Sequence, residues 1–224
     1  MIKFAAISAL ALLASTPVAQ AASIVSGNTV SLDRTNALTW TTSFAGTDGA
    51  AAVLTFNYTG ANAAGTAWNF TYSVDNTSVS PSLAARLGVF GFDTSGTPAS
   101  VVVGANNSFG ASAGGNFNGL GNRDVCFFTG SNCNGSGNSG VTVSDMPVSG
   151  AFTLNYATGQ TNLTVDNFAA RWQAAGANNN LSLSATGTIT SAVPEPATWA
   201  MMMLGFGVVG YGMRRRTAVR FATA

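Results

Sequence analysis

Apolar and polar positions alternate through much of this 224-residue chain. In AAVLTFNYTG, Leu54, Phe56 and Tyr58 are separated by Thr55, Asn57 and Thr59. In TAWNFTYSVDNTS the same beat sets Trp68, Phe70, Tyr72 and Val74 against Asn69, Thr71, Ser73 and Asp75. A period of two is the side-chain period of a β-strand, so each run presents one apolar and one polar face. The TGANAAG between them is turn material, and the two runs predict an antiparallel hairpin. AFTLNYATGQTNLTVDNF predicts a second hairpin: Phe152, Leu154 and Tyr156 face inward, residues 157–161 turn, and Leu163 and Val165 return. LSLSATGTIT, residues 181–190, predicts a last strand. Weaker strand patterns cover residues 37–44 around Trp40, 85–92, 100–104, 125–128 and 140–144.

About eight to ten short strands punctuated by turn signals predict an all-β fold, an antiparallel β-sandwich or jelly-roll-like body. No amphipathic stretch of helical period exceeds about two turns. Residues 104–140 are dominated by Gly, Asn and Ser with few apolar anchors, and predict a long loop outside the sheets.

Both ends depart from this pattern. The chain starts MIKFAAISALALLASTPVAQAAS, with Lys3, an apolar run over 4–14, Pro17, and then a small-x-small site at Ala19-Gln20-Ala21. This is the pattern of a secretory signal peptide handed to the Sec translocon, cleaved after Ala21 with Ala22 as the near alternative. An uncleaved anchor is the rival, disfavoured because the apolar run is short for a span. The other end reads VPEPATWAMMMLGFGVVGYGMRRRTAVRFATA. Pro194 and Pro196 cannot donate to a ladder and bias their predecessors toward extended geometry, so Pro194-Glu195-Pro196 forms an accessible handle. Residues 197–213 carry no charge and would make a transmembrane helix of about 25 Å, at the short limit for a hydrocarbon core. Arg214, Arg215 and Arg216 then hold the C-terminus in the cytoplasm. Gly205, Gly207, Gly210 and Gly212 weaken that helix, an odd choice for a permanent anchor. The expected organisation is a signal peptide over 1–21 and an exported β-rich domain over 22–192. A membrane-associated segment over 193–216 and a short cytoplasmic tail over 217–224 follow.

Without its ends, the body keeps four arginines (Arg34, Arg86, Arg123, Arg171) against seven aspartates, a net charge of −3, with no Lys, His or Glu. Such a surface cannot supply the counterion release that drives nucleic-acid binding. Cys126 and Cys133 have six residues between them, and in an exported chain they form one local disulfide. Zinc is excluded as the alternative, because two thiolates with no His and no other Cys cannot complete a tetrahedral site.

The same census limits catalysis. Without His, no Ser-His-Asp or Cys-His arrangement can form. A glycosidase would need two of the seven aspartates to face each other. Most of them sit in turn contexts (DRTN, TDGA, FDTSG, SDMP), where side-chain to backbone hydrogen bonds account for them. Calcium is the one metal to weigh, with Asp48, Asp93 and Asp124 as the loop carboxylates, but no DxDxDG-type loop exists. No metal ligand is assigned and no cofactor is expected. Trp40 and Trp172 are the candidate glycan contacts. Trp172, between Arg171 and Gln173, reads as the more exposed of the two, whereas Trp68 alternates as a core residue.

Pro-Glu-Pro, then Trp199-Ala200, then MMMLGFGVVGYGMRRR resembles the PEP-CTERM sorting signal of Gram-negative bacteria in its PEPxxWA variant. The resemblance implies handling by an exosortase, with Pro194, Glu195 and Pro196 as the recognition element, Trp199 marking the variant and Arg214–Arg216 as the stop. It implies a transient stay in the inner membrane, followed by delivery to the cell surface or an extracellular matrix of biofilm and exopolysaccharide. An ordinary C-terminal anchor is the rival, and TAVRFATA after the arginines is longer than such tails usually are. RDVCFFTGSNCNGSGNSG with FAARWQAAG also resembles the paired-cysteine "cistern" group of these proteins, on Cys126, Cys133, Arg171 and Gln173. That group carries no activity to transfer. The expectation is an exported surface or matrix protein without catalytic activity. A polysaccharide-binding module is the alternative, and an Asp-dependent hydrolase a distant one.

Overall fold

The computed structural model describes residues 23–105, 107–134, 139–193, 203–207 and 210. Twelve strands, all paired antiparallel, make up nearly all of its regular structure. β1 (Ile24–Ser26) and β2 (Thr29–Asp33) form a small hairpin, and β3 (Leu38–Ala45), β4 (Ala51–Ala61) and β5 (Ala67–Asn76) a meander. β6 (Arg86–Thr94) and β7 (Ser100–Val103) lead to the hairpin of β8 (Gly110–Phe117) and β9 (Gly121–Phe128). β10 (Val148–Asn155), β11 (Asn162–Ala175) and β12 (Leu181–Val193) complete the set.

The hydrogen-bonded order is β7-β10-β5-β4-β3-β12-β11-β6-β9-β8, with the β1–β2 hairpin laid beside β11 through β2. β12 belongs to both halves: Leu181 to Thr186 pair with β11, and Gly187 to Val193 pair with β3. The corner between the two layers falls at Gly187, where a Cβ would stand 2.5 Å from Thr42 and 2.6 Å from the Phe44 ring. Glycine is therefore required for the close approach that folds one sheet into two layers. The outermost strands β7 and β8 come near each other, so the sheet forms a nearly closed barrel or sandwich.

The core follows the alternation. Leu54, Phe56, Tyr58, Trp68, Phe70, Tyr72 and Val74 are all buried, as are Phe152, Leu154, Tyr156, Leu163 and Val165. Their rings join the layers: Phe70 stacks on Phe152 at 4.8 Å, Phe152 meets Phe127 edge-on at 4.8 Å, and Phe127 stacks on Phe90 at 4.5 Å. Each such contact adds about 0.5–1.5 kcal/mol beyond its buried area.

Three expectations need correction. The runs around Phe152 and Leu163 are both strands, but not partners. β10 lies between β5 and β7, while β11 lies between β6 and the β2 and β12 strands. Alternation fixes which face of a strand is buried, not which strand it neighbours. The intervening segment changes layers, held by Tyr156 N–H donating to Thr66 O and Gln160 N–H to Gly65 O, both at 2.9 Å.

Second, residues 104–140 are not all loop, because they contain the β8–β9 hairpin. Their glycines reflect crowding rather than lack of structure. A Cβ at Gly115 would collide with Cys133 Sγ, and one at Gly110 would stand 3.1 Å from the Phe128 ring. The expected strand at 125–128 is the end of β9 and buries Val125, Cys126 and Phe127, but β8 before Phe117 is Gly, Ala, Ser and Asn and shows no alternation. Third, residues 140–144 make no strand; Val141 forms one isolated bridge with Leu87.

β12 runs to Val193, the point where the membrane-associated segment was expected to begin. The expected signal peptide with Ala21 and Ala22 lies outside the described residues, as do Pro194, Glu195, Pro196, Trp199, Arg214, Arg215 and Arg216. Residues 203–207 are helical, and no helix among the described residues is long and apolar enough to cross a membrane.

Candidate functional site

Among the described residues, a group of charged side chains sits where the β6–β9 ladder ends. The two strands pair as far as Phe92 and Val125, and beyond that point carboxylates replace the missing ladder acceptors. Asp124 N–H donates to Asp93 Oδ1 and Thr94 N–H donates to Asp124 Oδ2, each at 3.0 Å. Asn167 Nδ2 donates to the other Asp93 oxygen at 3.0 Å. Asn167 occupies a left-handed conformation (φ 49°) in a bulge of β11, directly after Asp166, which pairs opposite Asp93. Arg123 closes the cluster, its Nε donating to Asn167 O at 2.6 Å and its Nη1 to Leu120 O at 3.0 Å. These residues, with Asn116 and Asn122, line an open cavity of about 730 Å³.

Burial pushes the Asp166 carboxyl above its ordinary range; Asp93 and Asp124 add to the rise, and Arg123 partly offsets it. Carboxyls whose environments push their pKa values apart are the arrangement from which acid and base roles can be built. Here, however, Asp93 and Asp124 direct their oxygens to the backbone and to Asn167. Among the described residues, no group of three His, Cys, Asp or Glu side chains is placed to hold a metal ion. Of the three calcium candidates, the fold brings Asp93 and Asp124 together. Asp48 lies in the β3–β4 turn, which bonds to the loop feeding the start of β6, a strand's length away. The sequence reading missed Asp166, because the bulge that turns it toward Asp93 left no mark in the alternation.

Two other aspartates confirm the turn reading. Asp33 Oδ1 accepts Thr35 N–H at 2.6 Å and Asn36 N–H at 2.7 Å. Burial works to raise its pKa, but the bonds from Asn36 and Thr35 outweigh that and leave it lowered. Asp145 Oδ2 accepts Thr142 N–H at 2.6 Å.

Neither candidate glycan tryptophan is available. Trp40 is 1 % exposed and stacks on Phe56 at 5.3 Å, and Trp172 is fully buried. The expectation for Trp172 fails for a simple reason: Arg171 and Gln173 are polar because they point the other way, off the outer face of β11.

The disulfide between Cys126 and Cys133 is present. It lies on that same outer face in a small second cluster with Val89, Phe117 and Ala169. Arg171 is buried beside it, donating from Nη1 to Asn118 O at 3.2 Å, and Ser184 Oγ donates to the same carbonyl at 3.0 Å. Burial alone lowers the Arg171 pKa. Of the residues behind the cistern-group resemblance, Arg171 thus holds the β8–β9 turn against the sheet, while Gln173 Oε1 accepts from Ser182 Oγ at 2.8 Å.

Residues 192–216 match the family model of the PEP-CTERM protein-sorting motif. Nothing among the curated proteins or the solved structures matches the chain. The chain therefore carries a PEP-CTERM motif, which implies export, processing at the membrane, and an exosortase as the processing partner.

Proposed function

We propose that this protein is an exosortase-sorted component of the cell surface or extracellular matrix of a Gram-negative bacterium, with a body that is structural rather than catalytic. The observation that carries the reading is the junction between body and tail. β12 ends at Val193 and the sorting motif spans 192–216, so a cut in the Pro-Glu-Pro region leaves the sheet whole. In this reading Trp199 marks the PEPxxWA variant, and the body belongs to the cistern group. The use of Asp93 and Asp124 as backbone acceptors supports a structural role for the carboxylate cluster. Secretion through the Sec translocon, cleavage after Ala21 or Ala22, and association with exopolysaccharide complete the proposal.

Intact and peptide mass spectrometry of the protein from envelope and culture fluid tests it. The expected products start at Ala22 or Ser23 and end within the Pro-Glu-Pro region. An intact C-terminus through Ala224, found in the inner membrane alone, would make the tail a plain anchor and overturn the reading.

A further inference from the structure

The alternation that fills the core also builds the opposite face of β4, β5 and β10. That face carries Thr55, Asn57 and Thr59 on β4, Asn69, Thr71 and Ser73 on β5, and Ser149, Ala151 and Thr153 on β10. Two cavities of about 530 and 260 Å³ open on it, and they share Thr71 and Ala151. Together they form one groove along β5 from Asn69 to Ser73, about 13 Å at the rise of an antiparallel strand. Its floor is low because Ala151 and Gly104 carry little or no side chain.

Two features define the occupant. No residue lining either cavity is charged, and the next outward charge along β5 is Asp75, two positions beyond Ser73. The groove therefore has nothing to neutralise a phosphate, sulfate or uronate polymer. It also lacks an aromatic or aliphatic centre of the kind that anchors protein interfaces; Val102 at its rim is the large apolar side chain, 55 % exposed.

Hydroxyls and amides without charge, with one apolar rim contact, match a neutral polyhydroxylated chain. We propose that this groove binds a strand of neutral polysaccharide, its ring hydroxyls bonding to Thr71, Ser73 and Asn57 and a C–H face resting on Val102. The site rests on the matrix reading above, and it replaces the buried Trp40 and Trp172 as the glycan contact.

Native affinity electrophoresis of the exported protein tests it, in gels containing hydroxyethyl cellulose, dextran or galactomannan, with alginate as the anionic control. The expected result is retardation in at least one neutral gel and none in alginate. Ala151→Trp, at an exposed position, fills the groove and abolishes the retardation. Thr71→Val keeps the β-branched shape, removes one hydroxyl, and weakens binding about three- to tenfold, the loss of one hydrogen bond. Free migration in every neutral gel, equal retardation in alginate, or full retention by Ala151→Trp would each overturn the groove. Sorting is read independently from the C-terminal mass, so failure of the groove and failure of the sorting reading are distinguishable.

Discussion

Replacing both Cys126 and Cys133 with alanine separates two contributions that the fold superimposes. The bridge closes a ring of eight residues, with a sequence separation of 7. In the chain-entropy model a ring that size restricts the unfolded chain by about 2.5 kcal/mol. The sulfurs also pack: Cys126 is fully buried and Cys133 is 7 % exposed, in contact with Val89, Phe117 and Ala169. Losing that packing adds about 1 kcal/mol, since this small cluster lies on the outer face and can partly relax. The double variant should therefore be about 3–4 kcal/mol less stable, a large share of the roughly 5–15 kcal/mol of a typical domain. Urea unfolding followed by tryptophan fluorescence measures the difference. Wild type in reductant is the informative control, because it loses the ring constraint and keeps the sulfurs. It should fall about 2.5 kcal/mol and stop short of the double variant. A double variant within about 1 kcal/mol of the oxidised wild type would refute both terms and mean that the β8–β9 hairpin holds its place unaided.

Other substitutions probe the rest of the structure. Gly91→Ala should cost about 1–3 kcal/mol in the same unfolding assay, because its Cβ would collide with Val125 O and stand 2.7 Å from the Phe117 ring. Trp40→Ala should cost about 3–5 kcal/mol, whereas Thr71→Val on the exposed face should stay within about 0.5 kcal/mol; equal effects would mean the faces are misassigned. Asp33, with its lowered pKa, stabilises the fold above its unfolded value near 3.8, and that contribution is lost as pH falls through the lower folded value. Asp33→Asn should accordingly be less stable than wild type at neutral pH, with the gap narrowing below about pH 4; a gap independent of pH would sink the assignment. Burial raises Tyr72 and Tyr156 to about 12 and Tyr58 higher still. Their protonated forms favour the fold up to the ordinary value near 10, and that stability disappears as pH rises through the folded values. An ultraviolet titration should show no more than about a tenth of Tyr72 and Tyr156 as phenolate at pH 11 in the folded protein, and less of Tyr58.

Much of this fold is legible in the chain, and the reason is the period. Wherever a strand has one wet and one dry face, as in β4, β5 and β10, the sequence states which side chains are buried. It also writes out the polar face on which the groove lies. The tail is legible for a different reason: Pro-Glu-Pro, an uncharged run and three arginines act as local chemistry and need no partner strand. Pairing is another matter. Strands 100 residues apart carry the same alternation, so nothing local told β10 to lie between β5 and β7 rather than beside β11. β8 escaped notice, although residues 125–128 of β9 read as a strand, because its glycines are dictated by a disulfide and a phenylalanine ring that approach only after folding. Trp172 was misplaced because its polar neighbours serve the opposite face. The carboxylate cluster arose from a bulge at Asn167, and the groove from a small residue, Ala151, set beside Thr71 by strand pairing. The sequence by itself determined which residues of the alternating strands face inward and that the chain carries a sorting motif. Only the tertiary structure decided which surfaces meet, because strand register and neighbour choice are settled by long-range packing.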